Sequence, residues 1–199
     1  MNPLKSVLGT IIAGFVLSII IMVVIGTGEL NVLALEVWLH VLAGVVWIGL
    51  LYYFNFVQVP GVGQALAEAD NGGPGPAAIN KYVAPRALAW FRWGAVATWV
   101  TGVGALQNLG ENGALSAFML KDGYMIIGIG AWLGTVMLFN VWVLIWPNQK
   151  KILGMVESTP EAIAKGKVIA LMASRTNTLL SIPMLMCMVA FGHGNSLPF

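Results

Sequence analysis

The chain is short of nearly everything a soluble domain displays. Charged residues make up 9% of its 199 residues, where a soluble domain carries about 25%. That shortfall excludes a solvated globular domain and a disordered chain. A single cysteine, Cys187, excludes an intrachain disulfide, a thiolate zinc site and the Cys-x-x-Cys-His attachment of a covalent c-type haem. Ten basic and eight acidic residues leave a net charge of +2 and no basic face for nucleic acid. Histidine is scarce too. With only His40 and His193 present, imidazole chemistry has two places to occur.

What is abundant is apolar surface. Hydrophobic residues form 58% of the chain and the mean hydropathy is +0.84, the composition of an integral membrane protein. A bilayer core about 30 Å thick needs ~20 apolar residues in helical form. Five stretches meet that length or nearly do: 6–25, 32–58, 87–106, 124–146 and 174–192. The second holds Glu36 and His40, the third Arg92, and the fifth Pro183, a candidate kink. The first run is too long for the apolar region of a signal peptide and no small-residue cleavage pattern follows it, so it reads as a retained helix. The expected fold is an all-α transmembrane bundle of five helices forming one domain, residues 1–199.

The basic residues give the expected orientation. With the N-terminus inside, the inner segments hold Lys5, then Lys81, Arg86 and Arg92, then Lys150, Lys151, Lys165, Lys167 and Arg175. Only Lys121 falls outside, in a loop with Glu111 and Asp122. The expected topology is N-in, C-out. Within the inner segments, residues 61–79 are rich in Gly, Pro and Ala and predict a flexible loop. Ser158-Thr-Pro-Glu161 has capping-box spacing with an early proline, which predicts a helix running on into the fifth span.

Candidate chemistry is concentrated in the second span. Glu36 and His40 are four apart and share a helix face. Counted inward from residue 32, Glu36 lies about 6 Å and His40 about 12 Å deep. Ionisable groups at that depth are costly and face a bundle interior or a functional site; the plain alternative is a neutral histidine bonded to a neighbouring helix. His193 closes the fifth span, so both imidazoles fall in the outer half. Two neutral imidazoles at similar depth are what the iron of a bis-histidine b-type haem needs, and copper is a second metal that imidazole suits. Arg92 and Arg175 lie near the inner ends of their spans and either snorkel to headgroups or bind a planar anion or haem propionate through forked hydrogen bonds, with Asn177 beside Arg175. Inner-side propionates conflict with an iron near the outer histidines. Trp142 and Trp146 fit an interfacial aromatic belt. Gly94-x3-Thr98-x3-Gly102 and Gly130-x3-Gly134 are spacings that permit close helix contact.

Three stretches carry a family resemblance: LHVLAGVVWIGLLYYFNFV at 39–57, FNVWVLIWPNQK at 139–150 and SRTNTLLSIPM at 174–184. Together they resemble the N-terminal membrane domain of the bacterial membrane-bound urate oxidase (urate hydroxylase) family. The His40-x6-Trp47-x-Gly49 pattern alone is similar, more loosely, to haem-associated membrane proteins such as membrane protoporphyrinogen oxidases and copper-resistance D proteins. The resemblance implies a multi-pass protein of the bacterial inner membrane that oxidises a substrate such as urate and passes electrons to an outer cytochrome c. This sequence carries no cytochrome c motif, so a separate cytochrome c would stand in for a fused one. The candidate site residues are His40, His193, Glu36 and Trp47 for haem b, with Arg92, Arg175 and Asn177 for substrate or propionates.

Two functions compete. One is a redox-active subunit holding haem b at His40 and paired with a separate cytochrome c. The other is a non-catalytic accessory subunit of a larger respiratory or oxidase complex, a hetero-oligomer within the bilayer. Transport lacks paired broken helices or an inverted repeat.

Overall fold

Long apolar runs broken by prolines and glycines give a chain that is helical in every regular element. A computed structural model describes residues 2–26 and 28–197, and no strand occurs among them. The chain divides into two compact units, one ending at Val32 and one beginning at Leu33.

The first unit is a short 3₁₀ turn, Pro3–Lys5, and α1, Val7–Ile25. Ser6 caps α1 by accepting the Gly9 N–H at 3.0 Å. The Thr10 and Ser18 hydroxyls each donate to a carbonyl one turn back, Ser6 and Gly14, at 3.0 Å. That self-satisfaction lets polar atoms sit in an otherwise apolar helix. No residue of α1 is buried within the unit.

The second unit holds α2 (Val32–Tyr53), α3 (Val59–Ala69), α4 (Ala84–Gln107), α5 (Gly113–Phe118), α6 (Met125–Phe139), α7 (Trp146–Ile152) and α8 (Pro160–Gly192). Three π-helical segments interrupt it: Phe54–Gln58 joins α2 to α3, Ile79–Val83 leads into α4, and Asn140–Ile145 joins α6 to α7. Each has the same cause. A proline follows at Pro60, Pro85 or Pro147, and the residue just before it donates its N–H five residues back: Val59 to Phe54, Ala84 to Ile79, Trp146 to Val141. Proline lacks an N–H and its ring crowds the carbonyl four residues earlier; a widened turn makes room without ending the helix. At Pro183, by contrast, α8 continues without widening.

Some local expectations change. The stretch expected to be a flexible loop over 61–79 is helical to Ala69, because Pro60 sits in the first turn of α3, where proline is tolerated. The cap of α8 is Thr159, whose hydroxyl accepts the Ala162 N–H at 3.2 Å, and not Ser158, which bonds to the Glu157 carbonyl. Among the described residues, four helical stretches are long and apolar enough to cross a membrane: Val7–Ile25, Val32–Ala69, Met125–Ile152 and Pro160–Gly192. The region expected as the third span is α4. It is 24 residues long, but two arginines, three tryptophans and two threonines keep it out of that set.

The core of the second unit gathers Trp47, Leu51, Phe54, Phe91, Met137 and Val141. Phe54 and Phe91 meet edge to face at 5.4 Å, which ties the first π segment to α4. Of the two small-residue spacings, Gly130 lets α6 approach α8, since a Cβ there would stand 3.1 Å from the Cys187 Cβ. Gly134 meets nothing within 4 Å, so only half of that pair serves close packing.

Candidate functional site

Glu36 and His40, one turn apart on α2 and both half-buried, turn to the second half of α4. His40 Nδ1 lies 2.8 Å from the Thr98 carbonyl oxygen. That oxygen only accepts, so Nδ1 carries the proton and Nε2 keeps its lone pair. Glu36 Oε2 accepts from Asn108 Nδ2 at 2.8 Å, and the same amide donates to the Gly104 carbonyl at 3.1 Å. Both acidic and imidazole groups fit only because α4 has glycine opposite them. A Cβ at Gly102 would stand 2.8 Å from His40 Cε1 and Nδ1, and one at Gly104 would stand 2.5 Å from Glu36 Oε1. Further along, a Cβ at Gly94 would meet the Trp47 nitrogen at 3.5 Å, and one at Gly44 would meet Thr98 Cγ2 at 3.7 Å. Residue numbers fall on α2 as they rise on α4, so the two helices are antiparallel and their glycines set the register.

The other expected site residues are dispersed. Trp47 is buried in the core with its Nε1 unpartnered. His193, just past α8, is exposed and holds its Nδ1 2.9 Å from the Val189 carbonyl of its own helix; the structure does not bring it into contact with His40. Arg92 is half-buried, its guanidinium carbon 3.4 Å from the Trp146 ring centroid. Arg175 is exposed while Asn177 is fully buried. Two positions are about 200° apart around a helix, so the expected arginine–amide cluster is not formed.

The polar residues that follow Arg175 in the sequence have partners that the sequence reading missed. Along α8, Ser174, Asn177 and Ser181 face inward. Asn140 Nδ2 donates to Asn177 Oδ1 at 2.8 Å, and Asn177 Nδ2 donates to the Met137 carbonyl at 2.9 Å. Tyr52 and Ser181 share a hydroxyl bond of 2.9 Å, and Asn55 Nδ2 donates to Ser174 Oγ at 2.8 Å. Two of these partners, Asn55 and Asn140, lie in π segments. The signal was present: small polar residues at helical spacing, three and four apart, in an otherwise apolar run. It marks a seam that fastens α8 to two of the three proline-widened segments, Phe54–Gln58 and Asn140–Ile145.

Residues 111–196 match the family model described as urate oxidase, N-terminal. The match spans α5 to α8, less than half of the chain. It takes in two of the three stretches that carried the resemblance, at 139–150 and 174–184, and leaves 39–57 outside. No curated protein and no solved structure matches the chain. The matched segment therefore holds Asn140, Ser174, Asn177 and Ser181 of the seam, with Trp142, Trp146 and His193, whereas Tyr52, Asn55, Glu36, His40 and Arg92 lie on the preceding elements.

A b-type haem can be tested against the side chains. Among the described residues, no group of three or more His, Cys, Asp or Glu gathers to cage a metal ion. A porphyrin iron needs only axial donors. His40 fits that need: a carbonyl fixes the tautomer and leaves Nε2 as the donor, the arrangement usual in metal-ligating histidines.

Proposed function

We propose that this chain is a redox subunit of urate-oxidase-like type in the bacterial inner membrane, holding b-type haem through His40 Nε2. The observation that carries the reading is the Nδ1 bond from His40 to the Thr98 carbonyl, in the Gly102 notch of α4. The family match over 111–196 supports the reaction class, oxidation of urate or a related substrate. Four long apolar helices among the described residues support a multi-pass arrangement, in which this reading makes α4 the fifth span; the distribution of basic residues supports N-in, C-out. The haem would supply one-electron transfer at iron, and a separate cytochrome c on the outer side would accept the electrons. The protein's own part is orientation. Thr98 holds the imidazole ring, Gly102 gives it space, and Asn108 holds Glu36 one turn away. His193, which the structure does not bring into contact with His40, is the candidate for the second ligand on its tautomer alone, its Nδ1 also being bonded to a carbonyl.

The test is a reduced-minus-oxidised spectrum of the protein purified gently from its native membrane, with a pyridine haemochrome assay and mass spectrometry of copurifying proteins. The expected result is a b-type signal that His40→Ala abolishes and His193→Ala shifts. Clean protein that takes up no haem on reconstitution, with a larger complex attached, would overturn the reading in favour of an accessory subunit.

A further inference from the structure

We propose that Arg92, Trp146 and Lys150 form a seat for the phosphodiester of an anionic phospholipid. The guanidinium carbon of Arg92 lies 3.4 Å from the centroid of the Trp146 ring, and Lys150 Nζ lies 5.7 Å from the same centroid. Two cations thus share one indole. Neither forms an ion pair among the described residues, and α4, α6, α7 and the π segment between α6 and α7 contain no acidic residue. The neighbouring unpartnered groups on these elements are donors as well: Arg92 Nε and Trp142 Nε1 are buried with no acceptor. A site with positive charge and unmatched donors selects an anion bearing several acceptor oxygens.

The surroundings decide which anion. Trp90 and Trp93, on either side of Arg92 in α4, are 58% and 61% exposed, and Trp93 packs edge to face on Trp142 at 5.5 Å. Exposed tryptophans beside stacked arginine and lysine, at the end of apolar helices, match the boundary between headgroups and acyl chains. A free phosphate would use the cations and leave the aromatic surface without a purpose. Arg86 at the same end of α4 and Lys81 in the π segment leading into it add attraction for an anionic leaflet. The inference rests on the membrane placement in the proposed function and not on haem.

The experiment uses the full chain in vesicles of phosphatidylcholine with or without phosphatidylglycerol, followed by detergent extraction, delipidation and native mass spectrometry of retained lipid. Wild type is expected to retain phosphatidylglycerol in preference to phosphatidylcholine. Arg92→Gln is expected to lower that retention at least about fivefold, as loss of one surface cation implies, and Arg92→Lys to restore part of it. Added inorganic phosphate or urate should not displace the lipid. Unchanged retention in a monodisperse Arg92→Gln protein overturns the proposal, as does displacement by phosphate, which makes the site one for free anions, or by urate, which makes it a substrate site. Should Arg92→Gln fail to fold, unchanged retention in Lys150→Gln, altered at a half-buried position, overturns it equally. The lipid readout does not depend on haem, so failure here is distinguishable from failure of the redox reading.

Discussion

A methyl group at Gly102 would stand 2.8 Å from two atoms of the His40 ring, well inside contact distance, and the ring is already held by the Thr98 carbonyl. Gly102→Ala is therefore expected to push the imidazole off that carbonyl and to destabilise the protein by about 1–3 kcal/mol. Gly49→Ala is the control. It lies on the same helix as His40 and meets nothing within 4 Å, so it should be neutral or stabilising by up to about 1 kcal/mol. Thermal unfolding of both variants in one detergent checks the contrast; equal effects would mean that the notch does not position His40. A second residue-scale prediction concerns the buried amides. Asn177 is 0% exposed and both accepts from Asn140 and donates to Met137. Asn177→Leu strands the Asn140 donor and the Met137 carbonyl loses its side-chain partner, at a cost of about 1–3 kcal/mol. Combining it with Asn140→Leu should recover part of that loss, with a coupling of about 1 kcal/mol. Strict additivity in the double variant would show that the amides do not act as a pair.

Prolines shape the elements more than any other residue type, and they do so by widening helices rather than ending them. Trp146 donates to Val141, five back, because Pro147 follows. In Pro147→Ala the ring and its crowding disappear, so the Trp146 N–H is expected to shift to the Trp142 carbonyl and the π segment to close into α-helix. That closure turns Trp146 relative to α4 and should break its stacking on Arg92. A structure of the variant, or Trp146 fluorescence in a background with the other tryptophans replaced, checks this; an unmoved Trp146 would remove proline as the cause. The same chemistry explains what the sequence made legible and what it hid. Helix positions followed from hydropathy and length, and the α8 start from its Ser-Thr-Pro-Glu signal. Gly94, Thr98 and Gly102 marked α4 as a closely packed helix without naming α2 as its partner. Residues 61–69 were misjudged because glycine and proline were counted as breakers, while Pro60 sits where a helix accepts it. The roles of Gly104 and Asn108 stayed hidden, since a glycine's partner across a helix pair depends on a register that no single sequence states. Asn177 was noticed for the wrong neighbour: adjacency to Arg175 in sequence puts the two on opposite faces.

At the scale of the whole molecule, charge is distributed by segment. The 108–123 connection, between the end of α4 and α6, holds Lys121, Glu111 and Asp122, whereas the segments around 81–92 and 148–175 hold eight basic residues between them: Lys81, Arg86, Arg92, Lys150, Lys151, Lys165, Lys167 and Arg175. Under the proposed five-span arrangement α4 crosses the bilayer and separates these groups. Its three tryptophans and two arginines make it the least apolar of the five, so it is the element on which the arrangement turns. The native cysteine is buried on α8, which leaves a quiet background for labelling. Single cysteines at Asp70, Asp122, Glu157 and Asn195 are expected to divide cleanly when intact cells meet an impermeant maleimide: Asp122→Cys and Asn195→Cys react, Asp70→Cys and Glu157→Cys do not until the membrane is opened. If α4 does not span, Asp122→Cys falls on the same side as Asp70→Cys, and with it goes the placement of Glu36, Asn108 and the mouth of the His40 site on the side where an outer cytochrome c would dock. The same four cysteines thus test the span count and the side from which electrons would leave.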